Sequence, residues 1–286
     1  MKLIRFGEKG EEKPGVLINQ FRKDCSGYFS DWNRDFFNND GLNKLQDLLE
    51  RKGKSLPDVP ENARWASCIA RPGMILCIGL NYADHAREAG MDLPSEPIVF
   101  GKAANSINGP YDDILMAKAA TKVDYEIELG VVLNRDIFEL NSKEEAENAI
   151  AGYCLTNDLS ERSFQLERGG QWIKGKSCPG FCPTGPYLLS RDEIDGVDNL
   201  SMELKVNGII RQQGNTSTMV FKPEYILYYL SQFMKLEAGD LILTGTPPGV
   251  AMGMNPPDYL KENDVVESSI RGLGEQKIRF LLSKKR

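Results

Sequence analysis

The chain has 286 residues, of which 41% are hydrophobic and 27% charged, and its formal net charge is −6. That length can bury a sizeable core, and the acidic balance argues against a nucleic-acid partner, which wants a basic face. No run reaches the ~20 apolar residues of a membrane span, and the charged start MKLIRFGEKGEEKPG is unlike a secretory leader, so a cytosolic protein without a membrane partner is expected.

In chain order, LIRF and GVLIN are short strand-like runs, and DGLNKLQDLLERKGK carries leucines at helical spacing up to Gly53. Residues 1–70 therefore read as a small N-terminal α+β unit, with the connector SLPDVPEN near its end. Residues 71–286 read mostly as strands. PGMILCIGL suits a buried strand and YADHAREAG a short helix ended by Gly90. VDYEIELGVVL alternates as strands do, Asn141 or Ser142 can cap the helix SKEEAENAIAG, and YCLTND is a further strand. Asn-Gly within MELKVNGIIRQ predicts a hairpin. PEYILYYLSQFM reads as a helix before the strand DLILT, and VVESSIRGLGEQKIRFLL as a last hairpin. Strands outnumber helices without alternating with them, which predicts a β-rich α+β fold rather than a doubly wound sheet.

Six cysteines, at 25, 68, 77, 154, 178 and 182, show no disulfide framework, and the lone C-x3-C lacks further soft ligands for zinc, so free thiols are expected. Residues 170–177, GQWIKGKS, match the phosphate-loop pattern of a nucleotide-binding enzyme letter for letter. That mechanism needs a strand before the loop and a helix after it. Here the preceding LSERSFQLERGG looks helical, and three prolines in the following CPGFCPTGP forbid a regular helix. A nucleotide site is not expected, which leaves Lys176 open to another role.

Two groups of residues carry chemistry. In a strand, Glu126 and Glu128 share a face, and two adjacent carboxylates repel unless a cation or solvent intervenes. With Asp158 at the end of YCLTND they form an all-oxygen set suited to Mg²⁺ or Mn²⁺. The alternative is the wet face of an antiparallel strand, where alternating acids are common. The only histidine, His85, stands three residues before Glu88 on the predicted helix. A carboxylate beside an imidazole makes a general base, although a plain surface pair has the same spacing. A non-catalytic metal-binding module would leave His85 and Lys176 without a task.

Seven stretches, in order, run from about residue 72 to the C-terminus: IGLNYADHAREAG, EPIVFGKAANSINGP, VDYEIELGVVL, GYCLTNDLSERSFQ, GKSCPGFCPTGP, NGIIRQQGNT and GDLILTGTPPGV. Together they resemble the fumarylacetoacetate hydrolase family. The resemblance implies a β-sandwich-roll fold, usually a homodimer, with a Mg²⁺ or Mn²⁺ site. Carried over by motif, it makes Glu126, Glu128 and Asp158 metal ligands and His85 with Glu88 the water-activating pair. It makes Lys176 the cation beside the metal, Arg162, Gln165 and Thr246 substrate contacts, and Lys102 part of the pocket wall. The implied substrate is a small anionic keto acid. SERSFQLERGGQWIKGKS most resembles members acting on 2,4-diketo-3-deoxy sugar acids, which release pyruvate and a carboxylic acid. Acylpyruvases, oxaloacetate decarboxylases, hydratases, isomerases and ureidoglycolate lyases share the scaffold.

Overall fold

The apolar runs pair into two mixed sheets in a computed structural model that describes residues 1–88 and 90–283. The larger sheet has nine strands. Across it lie Phe21–Asp24, Lys13–Ile18, Lys2–Phe6, Leu188–Ser190, Ile150–Asn157, Ile127–Leu133, Leu241–Leu243, Ile75–Gly79 and Ile98–Lys102. All neighbours are antiparallel except Leu241–Leu243 with Ile75–Gly79. The second sheet orders Ile209–Asn215, Ser201–Val206, Val265–Ile270, Gly274–Leu282 and Ile114–Met116, and only its last pair is parallel. Both predicted hairpins form, the first around Asn207-Gly208 and the second between Ile270 and Gly274.

The central strands Ile127–Leu133 and Ile150–Asn157 are buried at every residue. Strands covered on both faces read as continuous apolar runs, as IELGVVL largely does. A wet face for this strand is thereby excluded. Strand Lys2–Phe6 pairs with Leu188–Ser190, so the first three strands are outer members of the large sheet. Leu3, Val16, Trp32, Phe36 and Leu45 pack in one cluster with Ile75, Val132 and Leu241. The boundary near residue 70 thus falls inside a continuous sheet and a shared core.

The helices follow their sequence signals. Gly41–Lys52 ends at Gly53, Lys143–Glu147 is capped by the Ser142 hydroxyl, and Pro223–Ser231 starts on its proline. All six cysteines are free and buried. Among the described residues, no helix is long and apolar enough to cross a membrane.

Candidate active site

Two strand ends converge on one spot. Glu128 lies within Ile127–Leu133, Glu126 immediately before that strand, and Asp158 immediately after Ile150–Asn157. The register sets Thr156 opposite Glu128, and the Asp158 amide donates to the Glu126 carbonyl at 2.8 Å. Glu126 keeps the parity of Glu128 although it sits outside the strand. Carboxylate oxygens of Glu126, Glu128 and Asp158 lie within 4.8 Å of one another, and all three residues are buried.

Buried like charges survive only when paired. Here six groups alternate in sign along one chain of contacts. Lys102 Nζ donates to Asp158 Oδ1 at 2.6 Å, and Lys176 Nζ donates to Asp158 Oδ2 at 2.6 Å and to Glu126 Oε2 at 2.5 Å. Arg162 then donates to Glu126 Oε1 at 2.5 Å and, through Nε, to Asp124 Oδ2 at 2.8 Å. Three cations thus match three anions. Glu128 is the seventh group and forms no ion pair among the described residues; its Oε2 accepts only the Gly245 amide, at 2.7 Å. The titration behaviour follows. Burial opposes the charge on Glu126, but Lys176 and Arg162 outweigh it and bring its pKa down to about 2. Burial, then Asp158 and Glu126, push Glu128 well above the usual carboxylate range. Burial likewise opposes the charge on Lys176, yet Asp158 and Glu126 raise its pKa. An unneutralised carboxylate among three oxygen donors, with no thiol or imidazole, fits a hard divalent cation.

The second part of the site is less enclosed. On the short helix Ala83–Glu88, His85 Nδ1 lies 3.2 Å from Glu88 Oε2. The same carboxylate accepts the Gly249 amide at 3.1 Å. Gly249 has φ +103°, and a Cβ there would stand 1.9 Å from the Arg211 carbonyl oxygen, so only glycine lets this loop lie against the strand beneath it. His85 and Glu88 share a pocket of about 230 Å³ with Glu126, Glu128, Arg162, Gln165, Lys176 and Thr246. Its remaining wall is apolar, including Ile78, Phe100, Leu166 and Trp172.

The expected residues are therefore brought together, with two differences. Lys102 stands behind Asp158 instead of on the wall of the pocket, and Asp158 itself is fully enclosed. Gln165 faces the pocket and its Oε1 accepts from Arg162 Nη1 at 2.9 Å. The Thr246 hydroxyl donates to the Ile127 carbonyl. Sequence reasoning missed Asp124 and Gln212. Gln212 receives the Ile127 amide and donates to Thr246, which ties the two walls together. Asp124 shares the parity of Glu126 and Glu128, a signal available in DYEIE.

The phosphate-loop likeness has a packing origin. GQWIKGKS follows the helix Arg162–Leu166 and contains only the short turn Ile173–Lys176. A Cβ on Gly175 would meet the Glu161 carbonyl oxygen at 2.5 Å and the Gln165 amide nitrogen at 2.6 Å. That glycine serves close backbone contact, which brings Lys176 to the carboxylates.

Comparison with known proteins agrees with this geometry. Residues 74–280 match the family model described as fumarylacetoacetate (FAA) hydrolase, C-terminal. A protein of Burkholderia multivorans bearing only the general name hydrolase is 47% identical over 278 residues, covering 96% of this chain and 97% of its own. Fumarylacetoacetate hydrolase from the psychrophile Exiguobacterium antarcticum superposes with a TM-score of 0.83 at 33% identity, over 99% of this chain and all of that one. The maleylpyruvate hydrolase of Sphingobium sp. SYK-6, solved with manganese(II) and pyruvate, shares the fold at a TM-score of 0.81 and 22% identity, over 99% of this chain and all of its own. With the family model spanning the whole pocket and both halves of its machinery, the chain belongs to the fumarylacetoacetate hydrolase family.

Proposed function

We propose that the protein hydrolyses a carbon–carbon bond in a 2,4-diketo acid, with a 2,4-diketo-3-deoxy sugar acid as the first substrate to test. The carrying observation is that Glu126 and the unneutralised Glu128, two cationic side chains and a histidine–glutamate pair face one pocket, with Asp158 enclosed within 4.8 Å of the two glutamates. Glu126, Glu128 and Asp158 would hold Mg²⁺ or Mn²⁺. When bound, such an ion supplies Lewis-acid charge at the carboxylate and 2-keto oxygens of the substrate. The manganese(II) and pyruvate in the Sphingobium maleylpyruvate hydrolase support this reading.

The protein's own groups perform the proton chemistry. Glu88, anchored on the Gly249 amide, accepts from His85 Nδ1 and leaves Nε2 free to take a proton. His85 removes that proton from water, and the hydroxide oxygen bonds to the distal carbonyl carbon. The bond between that carbon and its methylene neighbour breaks, and its electron pair passes into the pyruvate enolate. Lys176 and Arg162 carry positive charge beside the developing enolate. The proton held on His85 returns to the methylene carbon, so one water is consumed for one pyruvate and one carboxylic acid. Decarboxylation needs no activated water and would leave His85 idle.

The test is a screen of 2-keto and 2,4-diketo acids with Mg²⁺ or Mn²⁺, with products identified. Pyruvate and the matching carboxylic acid in equal amounts are expected. Loss of carbon dioxide from oxaloacetate, with every diketo acid left intact, would replace hydrolysis by a lyase reading.

A further inference from the structure

Asp124 is a buried acid of this region for which the reaction above has no use. It is completely enclosed, and its carboxylate has four donors. Oδ2 accepts Arg162 Nε at 2.8 Å and the Met252 amide at 3.2 Å, while Oδ1 accepts the Ala251 amide at 2.7 Å and its neighbour Tyr125 at 2.8 Å. The contacts join two structures that share no strand. Arg162 begins the helix Arg162–Leu166 and orients Glu126. Ala251–Gly253 forms a short helical turn just beyond Gly249, the residue whose amide holds Glu88. A Cβ on Gly253 would stand 3.7 Å from the Glu88 carboxylate, so the turn lies directly against that side chain.

We propose that Asp124 is a positioning residue that fixes Arg162 and the Ala251–Gly253 turn against one another, so that the carboxylate cluster and the His85–Glu88 pair keep one relative placement. A general base must sit within about 3 Å of its proton, and a displacement of about 1 Å far from the chemistry can cost ~10²-fold in rate. His85 stands on a six-residue helix that cannot guarantee such placement alone. The Asp124 carboxylate supplies the missing brace through the turn and Glu88.

The single histidine makes the idea measurable without substrate or metal. In metal-free protein at fixed pH, the imidazole NMR resonances of His85 need no assignment. Asp124→Asn keeps the shape and is expected to move them at least half as far as Glu88→Gln does, in the same direction. Added to Glu88→Gln, it should move them no further. With a 2,4-diketo acid, the expected change is at least a tenfold fall in kcat with KM altered less than threefold. Should Asp124→Asn fail to fold, the neutral pair Asp124→Asn with Arg162→Gln replaces it in the resonance measurement. Wild-type resonances in a folded variant, or equal displacement with and without Glu88, would overturn the proposal. The catalytic arm rests on the proposed hydrolysis, and a wild-type protein that cleaves no diketo acid would refute that reading while leaving the resonance result to judge Asp124.

Discussion

The two halves of the pocket are built in opposite ways. On one side, Glu126, Glu128, Asp158 and Lys176 are buried side chains on or beside central strands and a tightly packed turn. On the other, His85 and Glu88 stand on a six-residue helix, with the Glu88 side chain about one-third exposed. The strand side can hold a strong field because water is excluded, and its groups are therefore bound into the stability of the fold. The helix side can be altered without touching the core, and its function depends on orientation. Substitutions should thus separate cleanly: fold and chemistry together on one side, chemistry alone on the other.

The largest expected effect is on the strand side. Excess chelator should reduce turnover to background, and added Mg²⁺ or Mn²⁺ should restore it, as a continuous pyruvate assay would read. Undiminished turnover in chelator would remove the reason for the triad. Next, His85→Ala and Glu88→Gln should each lower hydrolysis by about 10²- to 10⁴-fold, the usual cost of losing a placed general base. Cation affinity by calorimetry and the melting temperature should stay near wild type. A marked loss of stability in either variant would erase the contrast between the halves. Lys176→Met should do the reverse in cation-free protein, because it leaves Glu126 and Asp158 facing one another. Removing one partner of a buried ion pair costs about 3–5 kcal/mol, and denaturant unfolding would measure it.

A smaller effect sharpens the electrostatic side. Glu128 is held above its ordinary value of 4.5 by burial and by Asp158 and Glu126. Folding therefore favours its protonated form, a contribution complete below 4.5 and lost as pH rises through the raised value. Glu126, held down at about 2 against an ordinary 4.5, contributes above 4.5 and loses that contribution as pH falls towards about 2. Cation binding must take the proton from Glu128, so affinity should rise with pH over the range in which Glu128 is protonated. Calorimetry in buffers of different ionisation enthalpy should report a released proton. Binding that is independent of pH and releases none would show that Glu128 is not a ligand.

Legibility in the sequence followed locality. Glu126, Glu128, His85 and Glu88 were readable because their partners lie two or three residues away, where strand parity and helix pitch decide the geometry. Asp124 obeys the same parity, but the groups that hold it include the Ala251 and Met252 amides, about 127 residues further on. Parity places such an acid on the face of Glu126 and Glu128 but does not reveal the remote amides that hold it. The motif around Lys102 places it near the pocket without giving its depth, because it does not reveal that Asp158 stands in front of it. The outer strands show the same limit: LIRF reads as a strand, yet its partner Leu188–Ser190 is remote and periodicity carries no pairing information.

The alternating row of charges also bears on the order in which ligands arrive. With Glu128 protonated, Lys102, Lys176 and Arg162 balance Asp124, Asp158 and Glu126, and the floor of the pocket is neutral. A divalent cation that displaces one proton leaves a single net positive charge in a setting of low dielectric. If the substrate is the anionic keto acid proposed above, it would meet net positive charge only after that exchange, and the expected order of addition is cation before substrate. Initial-rate patterns should show the metal as the first reactant and substrate saturation meaningless in its absence.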